Sequence, residues 1–198
     1  MRRKQIIVCC FALTALCCSK EGPPPFGDGL MTATVNGKPW KGTGFAIPSQ
    51  RFSGQTCSLN TVEFNIGSSE AYPNARLNTT QSSLDCIRCD QTQSLVFTKM
   101  PLAVQSGKIN QDRSCQIDSI PGARYSTIVG GDVTGAVYNV LETKPDNQFR
   151  ITSYNPATGE LRGTFKLTFL RDKSRGSQVG KDTLRFQNGE FALKIKQK

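Results

Sequence analysis

A chain of 198 residues with 37% apolar and 8% aromatic residues, 18 Gly and 10 Pro holds enough apolar material for one sizeable core. That composition excludes collagenous, coiled-coil and disordered chains. The chain carries 25 Lys and Arg against 15 Asp and Glu, and no histidine. The missing imidazole excludes Ser-His-Asp and Cys-His nucleophilic sites and the usual histidine ligands of catalytic zinc.

In chain order, Arg2, Arg3 and Lys4 open the sequence, Ile6 to Leu16 is a nearly unbroken apolar run, and Cys17 and Cys18 follow. This is the pattern of a secretory signal, about half the length of the roughly 20 residues that span a bilayer. Residues 1–17 resemble a bacterial lipoprotein signal, whose terminal cysteine is acylated through its thiol. Cys18 is the expected lipidation site, because Cys-Ser-Lys-Glu is similar to the start of many mature lipoproteins, and Cys17 is the alternative. Ala15 and Thr14 stand where a lipobox leucine is expected for Cys18 and Cys17 respectively. Residues 18–29 are rich in Pro and Gly and read as a tether, semi-rigid at about 3.1 Å per residue in its Pro-rich part.

Residues 30–198 read as one antiparallel β domain, a sandwich or a barrel. Met31, Ala33 and Val35 alternate with threonines, Asn36-Gly37 supplies a type I′ turn, and Trp40 returns on the face of Ala33. Strands are expected at Thr61–Ile66, Ala75–Thr80, Leu95–Met100, Tyr125–Val129 and Ala136–Leu141. A second hairpin is expected around Asn155–Gly159, with Phe149 and Ile151 facing Leu161, Phe165 and Leu167. A third is expected to turn at Asn188-Gly189, pairing Phe186 with Phe191 and Leu184 with Leu193. No stretch has helical periodicity with caps.

Met-Thr-Ala-Thr-Val-Asn-Gly-Lys-Pro-Trp at 31–40, Ile151 to Tyr154, Gly163-Thr164-Phe165 and Asn188-Gly189-Glu190-Phe191 together resemble an uncharacterised family of Bacteroidetes-type lipoproteins. The likeness covers both ends of residues 30–198 and implies the fold and an anchorage in the outer membrane, periplasmic or surface-exposed. It implies no activity.

Four cysteines fall inside the domain: Cys57, Cys86, Cys89 and Cys115. In an exported chain these read first as disulfides. Folding about Tyr72-Pro73 sets Cys57 against Cys86, and folding about Pro101-Leu102 sets Cys89 against Cys115. Each bridge would be worth roughly 3 to 4 kcal/mol in the chain-entropy view. Cys86-Ile87-Arg88-Cys89 has the spacing of a redox motif, but Asp85 and Asp90 flank it with negative charge and no helix pattern follows. One close cysteine pair is too few for a four-cysteine zinc site, so neither metal nor cofactor is expected.

Without Arg2, Arg3 and Lys4 the chain keeps 22 basic and 15 acidic residues, and residues 161–198 alone hold ten basic and three acidic. Arg171, Lys173, Arg175 and Lys181 fall in an expected loop, and Lys194, Lys196 and Lys198 alternate on the last strand. One reading is a solvated face whose edge lysines block aggregation. The other is an anionic partner, an acidic polysaccharide or a phosphorylated lipid head group. Nucleic acid is not expected, since no binding motif accompanies the charge.

Catalysis without histidine would fall to carboxylates, as in glycosidases. Asp85, Asp90, Asp112 and Asp118 are candidates with no distinguishing pattern. The expectation is therefore a lipid-anchored β domain of the cell envelope that binds or builds surface structure, and the alternative is a carbohydrate-active hydrolase using two carboxylates.

Overall fold

The computed structural model describes residues 29–49, 61–68, 92–113, 120–129, 133–176 and 181–196, with no helix among them. They form β1 (Leu30–Val35), β2 (Lys38–Pro48), β3 (Thr61–Ser68), β4 (Gln93–Pro101), β5 (Ser106–Lys108), β6 (Asn110–Gln111), β7 (Gly122–Val129), β8 (Val133–Val140), β9 (Gln148–Asn155), β10 (Glu160–Gly176) and β11 (Thr183–Lys194). Strands β1, β2, β3, β4, β7, β8, β10 and β11 pair in that order, and β11 returns to β1. The sheet is a closed, antiparallel, eight-stranded barrel, with β5, β6 and β9 added to its wall. Closure leaves those eight strands no open edge between neighbours.

The expected strand at 75–80 lies outside the described residues; the other four are β3, β4, β7 and β8. The first hairpin also forms as expected: Ala33 faces Trp40 across β1 and β2, and Asn36 (φ 48°) and Gly37 (φ 82°) take the two left-handed positions of the turn. The Asn36 side chain then extends the seam with β11, donating through Nδ2 to Thr183 O (3.2 Å) and accepting from Arg185 N (3.0 Å). The β9–β10 hairpin has Phe149 opposite Phe165, and Asn155 folds its turn by accepting from Ala157 N (3.0 Å) on its side chain.

Asn188-Gly189 is not a hairpin. β11 runs straight through it, paired with β1 on one edge and β10 on the other along its length. One extra residue is inserted there: Thr32 and Thr34 face Glu190 and Gln187, and Asn188 sits at φ 51°. The reason is parity. Phe186 and Phe191 are an odd number of positions apart, so a regular strand would put them on opposite faces, and both a tight turn and a one-residue bulge bring them back to one face. Both are buried (0% and 4% exposed), and the bulge does it.

Around this bulge the glycines have a definite use. Gly163 lies opposite Phe191 and Gly189 opposite Phe165. A Cβ on Gly163 would stand 2.4 Å from the Phe191 ring, and one on Gly189 would stand 2.5 Å from the Phe165 ring. The Gly-Thr-Phe and Asn-Gly-x-Phe segments thus form a reciprocal pair, each phenyl ring lying over the other strand's glycine.

β10 is long enough to pair on its second edge first with β9 and then with β8. Where the chain steps out between them, Asn147 bridges the gap: its Nδ2 donates to Leu141 O (2.8 Å) and its Oδ1 accepts from Thr168 N (2.7 Å). Asn147 is itself buried, so the break in the ladder leaves those backbone groups partnered.

The barrel interior is filled by aromatic rings. Phe186 meets Trp40 (5.4 Å), Tyr125 (5.4 Å) and Phe169 (5.5 Å), and Phe64 meets Phe97 (5.7 Å) and Phe191 (5.2 Å). The Trp40 indole N–H donates to buried Gln93 Oε1 at 2.6 Å. Eight-stranded barrels either close on side chains or hold one small ligand, and these rings take the first course.

Candidate functional site

With the interior occupied, chemistry directed at a partner belongs to the outer surface and the barrel ends. One end is where β1 turns into β2, β7 leads to β8 and β10 leads to β11; the other is where β1 begins and β11 finishes.

Arg171, Lys173 and Arg175 do not lie in a loop. β10 continues through them to Gly176, and the departure from regular pairing is a wide bulge: Arg171 faces Tyr138, Gly176 faces Ala136, and Asp172 to Arg175 stand out between. Lys181 immediately precedes β11. The bulge is held by Asp172, whose Oδ1 accepts from Ser174 N (2.9 Å) and Ser174 Oγ (2.6 Å) and whose Oδ2 accepts from Asn139 Nδ2 (3.3 Å). Arg175 Nε lies 3.8 Å from the same carboxylate. Those bonds, the Ser174 hydroxyl first, hold the Asp172 carboxyl below its ordinary range.

The four cations are not equivalent. Arg171 is paired with Asp182 and its side chain is only 10% exposed. Burial raises the hydroxyl pKa of the neighbouring Tyr138, with Arg171 acting in the opposite sense. Lys173, Arg175 and Lys181 are exposed. Beside them runs a groove of about 530 Å³ lined by Asn139, Leu141, Leu170, Asp172, Lys173 and Asp182 among others. Leu170 contributes an apolar surface that is 43% exposed.

The charge of the last forty residues is divided. Lys194 and Lys196 sit at the opposite end from Lys173 and Lys181, since β11 runs the length of the barrel. Lys196 lies past the strand, its ammonium 4.5 Å from the Phe45 ring centroid, and burial lowers its pKa. Lys198 lies outside the described residues.

Two exposed cations that the charge count did not single out belong to the first end. Lys38 opens β2, and Arg185 lies near the start of β11, its backbone joined to Asn36 on both sides. They are far apart in sequence, and only the β1–β11 seam brings them together.

A second cluster lies elsewhere on the wall. Asp112, one of the four carboxylate candidates, accepts from Thr98 Oγ1 at 2.8 Å. Its charge reaches half-buried Glu63, whose pKa is raised mainly by burial and further by Asp112. Beside Thr98, Lys99 is the extra residue of a bulge (φ 56°), buried, and donates to Arg113 O at 3.2 Å. Glu63 gave no sequence signal because it sits at an outward position of the strand alternation, and Lys99 gave none because the bulge that buries it has no local turn pattern.

Cys17, Cys18, Cys57, Cys86, Cys89 and Cys115, with Asp85, Asp90 and Asp118, lie outside the described residues. The strands that flank the four domain cysteines are described, however. β3 pairs with β4 (Ile66 opposite Leu95) and β4 with β7 (Leu95 opposite Tyr125). Neither ladder is centred on the Tyr72-Pro73 or Pro101-Leu102 folds. The strand ends on either side of Cys57 and of Cys115 meet at one end of the barrel, and Ser68 and Thr92, on either side of Cys86 and Cys89, meet at the other. No group of three or more metal-ligating side chains occurs among the described residues.

No family model, curated protein or solved structure matches the chain.

Proposed function

We propose that this chain is a membrane-anchored extracytoplasmic lipoprotein whose β domain serves as a binding or structural component of the cell envelope, its partner an anionic glycan or lipid. The observation that carries the binding part is the filled barrel with exposed cations gathered at one end. Aromatic rings pack the described interior, and Lys173, Arg175 and Lys181 beside an open groove give an electrostatic footprint to an anion. The anchor rests on the signal-like first seventeen residues and Cys18.

Membrane fractionation tests the anchor: Cys18→Ala should release the protein and Cys17→Ala should not, and the reverse moves the site to Cys17. The four domain cysteines belong to the same reading as bridges, and Cys57–Cys86 with Cys89–Cys115 is the pairing to test, although the β3–β4 and β4–β7 ladders do not follow the folds about Tyr72-Pro73 and Pro101-Leu102 that suggested it. Non-reducing peptide mapping that joins Cys57 to Cys115, or Cys86 to Cys89, overturns that pairing.

A second reading, a carboxylate hydrolase, has one observation in its favour. Burial, and after it the charge of Asp112, raises the pKa of Glu63, the direction that the acid of a carboxylate pair needs. Release of reducing ends from a polysaccharide that is lost in both Glu63→Gln and Asp112→Asn would support it, and no release by the native protein would discard it.

A further inference from the structure

We infer that Lys38, Lys173, Arg175, Lys181 and Arg185 form a rim that binds an acidic polysaccharide on the side of the domain away from its membrane anchor. For its orientation the inference rests on the lipoprotein reading above.

The topology sets the orientation. Gly29, which leads into β1, is fixed to the base of the barrel by the N–H of Gly44 (3.1 Å), and β1 runs from there to Asn36-Gly37 at the rim. Leu30 lies level with Ala192, and Ala192 with Arg162. From Arg162 to Arg171 on β10 the rise is about 30 Å along the strand, on the order of 20 Å along the axis at the usual barrel tilt. Exposed charges are screened beyond about 8 Å at physiological ionic strength. Head groups at the anchored end are therefore too far from the rim to neutralise it.

The chemistry of the rim selects the partner. Among the described residues at this end, the five named cations and Arg171 are accompanied by the carboxylates Asp172 and Asp182, which are already engaged by Ser174, Asn139 and the two arginines. An anionic partner gains from that excess. The adjoining groove offers the Asn139 amide and exposed Leu170 side by side. A pyranose ring has the matching surfaces, an apolar C–H face and a hydroxyl edge, and its carboxylate meets the lysines. A lipid phosphate would use the charge but not the groove.

The experiment uses the full chain, produced with its anchor and reconstituted in phosphatidylcholine vesicles. Binding of labelled polygalacturonate is compared with neutral dextran and with separate phosphatidylglycerol vesicles. The variant Lys38→Gln/Lys173→Gln/Arg175→Gln/Lys181→Gln/Arg185→Gln should bind polygalacturonate at least about tenfold more weakly and with a flatter salt dependence. Lys194→Gln/Lys196→Gln, at the other end, should stay within about twofold, since it leaves the rim charge in place. A thermal melt close to that of the native protein shows that the rim variant is folded. Equal losses in the two variants, native binding no better than to dextran, or preference for phosphatidylglycerol overturns the inference. A chain that holds polygalacturonate through the rim yet fails to float with its own vesicles refutes the anchor and the orientation together. One that floats and ignores polygalacturonate refutes the rim alone.

Discussion

The hairpin of β10 and β11 contains both kinds of surface that this protein builds. In its lower half, Gly163, Phe165, Gly189 and Phe191 interlock inside the barrel; in its upper part, Asp172 to Arg175 bulge outward and carry charge. The lower half obeys the alternation of side chains along a strand, corrected once by the bulge at Asn188. The upper part departs from it because hydrogen bonds from Ser174 and Asn139 to Asp172 replace the ladder. Packing therefore decides stability in one region, and in the other a locally folded, hydrated segment is free to serve recognition.

The hardest test of that contrast is Phe186→Ala. The ring is fully buried among Trp40, Tyr125 and Phe169, and its loss should cost about 3 to 5 kcal/mol in denaturant unfolding. Lys173→Gln, Arg175→Gln or Lys181→Gln should each stay within about 0.5 kcal/mol, as exposed positions do. If a rim substitution unfolds the domain as readily as Phe186→Ala, the division between the two regions is wrong.

A smaller effect is expected where a polar group enters the interior. Gln93→Ala removes the acceptor of the Trp40 indole N–H and leaves that buried donor unpartnered, at about 1 to 3 kcal/mol. Trp40→Phe in the Gln93→Ala background should recover part of the loss, since it removes the stranded donor; a double variant no better than additive would assign the cost to packing alone. Smaller again is Asn188→Val. A β-branched side chain at φ 51° should cost about 1 to 2 kcal/mol, while Asn188→Gly should be nearly neutral. Equal tolerance of Val and Gly would mean that the bulge shifts rather than strains.

These particulars explain what the sequence could and could not convey. Asn36-Gly37 and Asn155–Gly159 announced their hairpins because turn residues and flanking alternation agreed. Asn188-Gly189 carried the same signal and meant a bulge, because a turn and an inserted residue restore the same facing of Phe186 and Phe191. Closure into a barrel was also hidden: pairing of β11 with β1 joins the two ends of the domain, and no local pattern encodes it. The basic cluster was legible as composition. Its division between two ends, and the arrival of Lys38 and Arg185 at one of them, depended on that same closure.

A smaller effect than that at Asn188 is expected at Glu63, and its sign is informative. Burial, aided by the charge of Asp112, raises its pKa above that of the unfolded chain. The folded state thus holds the proton more tightly than the unfolded state, so its contribution is most favourable below the unfolded carboxylate pKa and is lost as pH rises through the folded value. Glu63→Gln mimics the neutral form. It should stabilise the domain at neutral pH by less than about 1 kcal/mol, in keeping with a half-exposed position, and the gain should vanish in acid, where the native glutamate is protonated as well. Asp112→Asn should give a gain in the same direction, because it removes the charge that opposes ionisation of Glu63, offset by the weakened bond from Thr98 Oγ1. Urea unfolding of the two variants from acid to neutral pH measures this directly. A Glu63→Gln difference that stays constant with pH would show that the carboxylate ionises as freely in the fold as outside it, and the acid-and-base reading of this pair would lose its footing.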